Sequence, residues 1–325
     1  MTRRGLVLGA GGVLGAAWTI GALTALEEVE GFDARDCEVL IGTSAGSVLA
    51  ALLGAGIPVR DVRDHQLGRP VAEGPLKGYT LDYDKATGGT LPGLPRLGIG
   101  SRRLLVQALR RPGAMTPFAA MSSLVPEGSG SLWTVGHLVD AVTPPGEWSP
   151  HDNLWLVAMD YDSGRRVVFG RDGSPAAELS EAVLASCAIP GWFKPMTIGG
   201  RRYVDGGTCS ATSVDLLAGR GLDEIYVLAP MASFDYDEPT AVAARIERAY
   251  RRSVTRRMMR EAGKVRDGSD GATTVTMLGP GRRDLEAIGV NLMDHTRRED
   301  VLEVSLQTSA DALRRARADE LSWSA

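Results

Sequence analysis

Two long uncharged stretches dominate the hydropathy pattern: Leu6–Leu26, directly after Arg3-Arg4, and Val39–Ile57. Their length would suit a signal peptide or a membrane span. Their glycine content suits neither, with Gly9, Gly11, Gly12, Gly15 and Gly21 all in the first. Each instead parses as a short apolar strand, a glycine turn and a helix, the pattern of a buried central sheet. The first unit is strand Gly5–Leu8 and a helix from about Ala16 to Glu28. The second is strand Val39–Ile41 and a helix running to about Leu53.

Further along, the pattern predicts a short polar helix over Pro58–Gln66 and a helix over Ser101–Arg111. The segments around that second helix are irregular: Gly68–Gly100 carries eight Gly and four Pro, and Pro112–Ser131 has little periodicity. An insertion of this kind, about 67–131, is expected to be a lid, a binding loop or disorder. Its apolar members Tyr79, Leu91, Leu94, Leu97, Met115, Phe118 and Met121 suit a cover over an apolar substrate, and equally a packed-down loop. Then follow a helix Thr134–Val142, a hairpin Leu154–Asp160 and Arg166–Phe169, and a helix Leu179–Cys187 stopped near Pro190-Gly191. Strand Arg201–Val204, a helix near Ser213–Ala218, buried strand Glu224–Ala229, late strand Thr273–Leu278 and terminal helix Glu299–Leu321 complete the chain. Between the last two strands Pro239–Gly263 reads as an amphipathic helix with Val242, Ile246, Tyr250, Val254 and Met258 on its apolar side.

The 325 residues can bury a full core, and a net charge of −4 offers no case for nucleic acid. Three cysteines, Cys37, Cys187 and Cys209, form no C-x-x-C pair, so reduced thiols in a cytoplasmic protein are expected. Charge changes the picture in one place. Seven arginines between Arg245 and Arg260 make the long helix basic, which suits either a solvated face or peripheral contact with an anionic membrane.

Candidate chemistry sits at the glycine turns. Gly42-Thr43-Ser44-Ala45-Gly46 places a serine where a strand becomes a helix, the setting of a nucleophile elbow; Ser44 as a plain helix N-cap is the alternative. Gly9-Ala10-Gly11-Gly12-Val13-Leu14-Gly15 offers backbone N–H groups to an anion. A dinucleotide fits poorly there, because Leu14 occupies the third glycine position and the next strand ends in no acid. An oxyanion hole from the Gly11 and Gly12 amides, or simple close packing, fits better. Asp205-Gly206-Gly207 ends a strand with a carboxylate that could act as a general base or only mark a turn. His65, His137, His151 and His295 lie in polar settings without ligand spacing, so no metal and no cofactor are expected.

Taken in order, Gly9-x-Gly11-Gly12-x-x-Gly15, Gly42-x-Ser44-x-Gly46 and Asp205-Gly206-Gly207, with Pro190-Gly191-x-Phe193-x-Pro195 upstream of the aspartate, resemble the patatin-like phospholipase family over residues 5–230. Leu14 departs from it, since the family's loop commonly carries Arg or Lys there. The resemblance implies an α/β fold, a patatin-like three-layer α/β/α sandwich around a mainly parallel sheet with the insertion as a lid. It implies a catalytic domain over 1–235, with 236–325 a mainly helical part packed on the same domain. It further implies a Ser-Asp dyad of Ser44 and Asp205 that cleaves acyl-ester lipids with oxyanion help from Gly11 and Gly12. Two other readings stay open: a triad of Ser44, Asp205 and His295, and a catalytically silent lipid- or nucleotide-binding protein.

Overall fold

The computed structural model describes residues 2–80, 98–111, 113 and 115–323, with side chains to Arg317. Leu91, Leu94 and Leu97 of the expected lid lie outside the described residues. The elements run β1 Arg4–Leu8, α1 Gly12–Glu30, β2 Val39–Thr43, α2 Ala45–Gly54, α3 Val59–Gln66, α4 Arg102–Arg110, α5 Pro117–Ser122 and α6 Trp133–Val142. There follow β3 Leu154–Asp160, β4 Arg166–Phe169, α7 Leu179–Cys187, β5 Met196–Ile198, β6 Arg201–Asp205 and β7 Glu224–Leu228. The last are α8 Val242–Asp267, β8 Thr274–Leu278, α9 Arg282–Ile288 and α10 Arg298–Trp323.

All eight strands join one sheet in the order β5-β6-β3-β2-β1-β7-β8, with β4 also paired to β3. The pairs from β3 through β2, β1 and β7 to β8 are parallel; β4 and β6 pair antiparallel with β3, and β5 pairs antiparallel with β6. Alternation along the strands divides the core into two layers. Leu6, Leu8, Leu40 and Leu156 face α1, α2, α7 and α10. Val7, Ile41, Val157 and Val227 face α8, through Val254, Met258, Ala262 and Val265. The architecture is therefore a three-layer α/β/α sandwich around a mainly parallel sheet.

Residues beyond 235 extend this sandwich: β8 continues the sheet, and α10 lies along α1. A Cβ on Gly21 of α1 would stand 2.5 Å from the Leu302 carbonyl oxygen, so glycine permits that close crossing. Among the described residues no helix is long and apolar enough to cross a membrane.

The basic helix differs from its sequence reading. Val242 and Ile246, expected on the apolar side, are exposed at 69% and 66%, whereas Arg248 and Arg251 are buried. The inward stripe is Ala244, Arg248, Arg251, Val254 and Met258, at helical spacing. Two carboxylates make that burial tolerable. Arg248 pairs with Asp237 at 2.6 Å and with Glu247, and Arg251 also bonds Glu247 and the Pro230 carbonyl. Of the seven arginines between 245 and 260, Arg245, Arg252, Arg256 and Arg260 face solvent.

Candidate functional site

The β-sheet register brings together the two segments that the sequence singled out. Thr43, the last residue of β2, lies opposite Val157 of β3, and Asp205, the last residue of β6, lies opposite Ala158. Because β2 and β6 run in opposite directions, their ends arrive at adjacent residues of β3. Ser44 and Asp205 thus meet although 160 positions separate them in the chain.

Ser44 occupies a left-handed conformation, φ 54° and ψ −126°, which L-residues rarely adopt. The surroundings over-determine it. Its amide donates to the Ser186 hydroxyl at 2.8 Å, and that hydroxyl donates to the Val157 carbonyl at 2.6 Å. A Cβ on Gly42 would sit 2.5 Å from the Ser47 Cα, and one on Gly46 would sit 2.1 Å from the Leu8 carbonyl oxygen. Glycine at 42 and 46 therefore lets α2 start tightly against the end of β1, in the geometry of a nucleophile elbow.

Asp205 is 6% exposed. Burial pushes its carboxyl up to about 6, held from rising further by hydrogen bonding from the Ser44 hydroxyl and the Gly207 amide, the latter at 2.7 Å. Gly206 is as constrained as the elbow glycines, since a Cβ there would lie 2.3 Å from the Val157 carbonyl oxygen. No histidine is among the groups that shift this carboxyl.

The glycine loop lies alongside. The Gly9 and Ala10 amides are used by the Leu228 and Ala211 carbonyls, and the Leu14 amide by that of Leu292. Between them, Gly11 caps α1 and Gly12 opens it, so their N–H groups belong to the first, unsatisfied turn of a helix. Gly12 and Ser44 line one cavity of about 120 Å³. Gly11 and Gly15 leave room for the Pro230 ring, which approaches the two missing Cβ positions to 2.7 and 3.2 Å. Arg251 bonds the Pro230 carbonyl, so a buried arginine of α8 braces the loop. Leu14 is fully buried in the core.

The cavity beside Ser44 is apolar, walled by Val48, Leu49, Val135, Leu138, Ile189 and Phe193 among others. Of the insertion's described apolar members, Tyr79, Met115, Phe118 and Met121 are not in that wall. Met115 packs instead against the cluster that holds Leu104, Met159 and Val204, Phe118 packs its ring on Tyr250 at 5.7 Å between centroids, and Met121 faces solvent. The cover over Ser44 is built by α3, α6 and Phe193.

Two residues near the site differ from their sequence reading, His65 from its expected polar setting and Tyr250 from a packing role alone. His65 lines the cavity, its pKa lowered by burial and its Nε2 buried without a partner. Its spacing from Val59 and Val62 along α3 carried the signal. Tyr250 of α8 is close enough to Asp205 for the carboxylate's charge to add to burial in pushing its phenol up to about 12. His295 sits instead in a turn just beyond Leu292 and Met293, which touch the Gly12 position. Among the described residues no three His, Cys, Asp or Glu side chains gather as a metal cage.

The model of the patatin-like phospholipase family matches residues 6–218, about two thirds of the chain. The chain belongs to this family. All three glycine-bearing motifs of the site fall within the matched span. Similar solved structures include VipD from Legionella pneumophila, with 14% identity and a TM-score of 0.48 over 97% of this chain and 67% of that one. The type III effector ExoU matches at 17% identity and a TM-score of 0.37, over 97% of this chain and 53% of that one. As a patatin-like phospholipase-family chain it carries its Asp-Gly-Gly turn on a strand antiparallel to the one beside it, which is what aims the aspartate back at the elbow.

Proposed function

We propose that the protein is a serine acyl hydrolase that cleaves carboxylic esters of phospholipids or related lipids through a Ser44–Asp205 dyad. The observation that carries this reading is a serine held at left-handed φ against a buried carboxylate that titrates near neutrality. An aspartate of ordinary pKa is a poor base for an alcohol, and raising it to about 6 narrows the gap while leaving it ionised at pH 7. Asp205 takes the Ser44 proton as Oγ attacks the ester carbonyl. The oxyanion forms between the Gly11 and Gly12 amides and the α1 dipole, worth on the order of 3 kcal/mol per donor. Collapse expels the alcohol, which takes the proton from Asp205, and leaves an acyl-Ser44 ester with its chain in the apolar cavity. Asp205 then deprotonates water, which releases the acid and restores the serine.

Family membership supports the reaction class, and the apolar wall around Ser44 supports an acyl chain as its occupant. The direct hydroxyl–carboxylate partnership favours the dyad over a histidine triad. Labelling with a fluorophosphonate probe tests the reading: rapid formation of one adduct on Ser44 is expected, and none in Ser44→Ala. A folded protein that fails to label would point to a silent binding module.

We further propose that α8 touches anionic membrane through Arg245, Arg252, Arg256 and Arg260, beside the exposed Val242 and Ile246. Sedimentation with phosphatidylglycerol vesicles is expected to weaken with salt and to drop several-fold in Arg252→Glu/Arg256→Glu. Equal binding to neutral vesicles would contradict it.

A further inference from the structure

A second cleft, larger than the Ser44 cavity, lies elsewhere in the molecule. It measures about 1370 Å³ and lies between α4 and the β3–β4 and β5–β6 turns. Its wall carries nine arginines against two aspartates, Asp160 and Asp162, in a chain whose overall charge is −4. Thr116, on its rim, donates to the Thr208 carbonyl at 2.6 Å, and Cys209 forms part of its wall, so the cleft backs onto the loop that follows Asp205.

Five of the nine arginines have carboxylate partners. Arg166 is bidentate to Asp215 at 2.7 and 2.9 Å, Arg202 bonds Glu127 at 2.8 Å and Asp162, and Arg257 bonds Glu261 at 2.9 Å. Arg201 and Arg103 lie 3.5 and 3.6 Å from Asp160 and Asp162. The other four, Arg102, Arg110, Arg111 and Arg165, are exposed and meet no carboxylate among the described residues. Counting Glu127, Asp215 and Glu261 with the two wall aspartates, nine guanidinium groups face five carboxylates, and four positive charges stay uncompensated.

Gathering like charges in one concavity costs self-repulsion, and it focuses a field that attracts anions. Guanidinium forks match phosphate oxygens two at a time. Among the described residues the wall holds no Phe, Tyr or Trp on which bases could stack, which disfavours a single-stranded nucleic acid. Its apolar members are few, chiefly Val106 and Met115, which disfavours an acyl chain.

We infer that this arginine cleft, separate from the Ser44 cavity, binds a ligand carrying several phosphate groups, either a free polyphosphorylated molecule or the headgroup of a polyphosphorylated lipid. Arg110 and Arg165 approach it from opposite walls, one from α4 and one from the β3–β4 turn. Pre-oriented side chains grip from behind: Asp215 fixes Arg166 and Glu127 fixes Arg202. The inference does not depend on the acyl-transfer chemistry.

Calorimetric titration of the 325-residue chain with inorganic tripolyphosphate at fixed ionic strength tests it. Tripolyphosphate is expected to bind roughly tenfold or more tightly than inorganic phosphate, because more guanidinium contacts form. Arg110→Glu/Arg165→Glu removes no ion pair within the protein, so its melting temperature is expected to stay near that of the parent while this binding is lost. Arg245→Glu/Arg252→Glu on α8 keeps it. Vesicles separate the two sources. If a phosphatidylinositol bisphosphate retains the protein better than charge-matched phosphatidylglycerol, and the cleft variant abolishes that preference, the ligand is a lipid headgroup. If tripolyphosphate binds without any such preference, it is a free molecule. The inference fails if neither probe binds, if the cleft variant binds as well as its parent, or if a DNA oligonucleotide displaces tripolyphosphate as effectively per phosphate.

Discussion

Asp205→Asn is expected to yield a protein that turns over ester about a thousandfold or more slowly yet resists denaturation better at pH 7. The rate falls because an amide cannot accept the Ser44 proton, and general-base catalysis contributes about 10²- to 10⁴-fold. Stability rises for the converse reason. The carboxyl titrates at about 6 in the folded protein against 3.8 as its ordinary value, so the folded state binds the proton more tightly than the unfolded state. Its contribution to stability is therefore greatest below pH 4 and is lost as pH rises through about 6. At pH 7 the ionised, buried group costs on the order of 3 kcal/mol, part of which Asn recovers while still accepting from the Gly207 amide. Urea titrations of both proteins at pH 7 and pH 4 measure the difference, which should shrink at the lower pH. The parent enzyme's kcat/KM should also decline as pH falls below about 6, in step with protonation of this base. A variant that keeps near-normal turnover, or a flat pH profile across that range, would remove Asp205 from the mechanism.

Gly46→Ala is expected to be a severely damaging single-methyl change. The added carbon would lie 2.1 Å from the Leu8 carbonyl oxygen and 2.4 Å from its carbon, both backbone atoms of a central strand. Neither α2 nor β1 can yield without disturbing the elbow, so the loss should be about 3 kcal/mol or more, with little fluorophosphonate labelling of whatever folds. Gly31→Ala is the control. Gly31, unlike Gly46, has a positive φ, 70°, but meets nothing within 4 Å, and its substitution should cost only about 1 kcal/mol through backbone conformation alone. Equal losses at the two positions would mean that α2 does not press on β1 as tightly as described.

These two sites were legible in the sequence for a simple reason. A glycine that admits a close backbone approach leaves a mark at its own position, as Gly42, Gly46 and Gly206 do. The strand–turn–helix units from Gly5 to about Leu53 were likewise readable, because a buried parallel strand is apolar throughout and glycine punctuates its end. What pairs with what was less local. Nothing near Asp205 states that its strand runs antiparallel to β3, and that direction aims it at Ser44.

The arginines were misread for a related reason. Composition marks α8 as basic, yet Arg248 and Arg251 share the inward stripe with Val254 and Met258, and only the distant Asp237 and the adjacent Glu247 make that position stable. The arginine cleft draws on four separate parts of the chain and leaves no linear signature. One miss was avoidable: Thr116-Pro117 is an N-cap followed by proline at the first helical position, the signal of α5 inside a stretch read as irregular.

The head-on meeting of β2 and β6 has a bearing on biogenesis. Ser44 follows β2 and Asp205 ends β6, strands joined only through β3, and the glycine loop leans on Pro230, held in turn by Arg251 of α8. Contacts this distant in sequence close late in folding. A partly synthesised chain, even one long enough to display the serine turn, lacks both Asp205 and the brace for the loop. The proposed dyad is thus incomplete on the ribosome, and the chemistry assigned to it must wait until some 250 residues have taken their places.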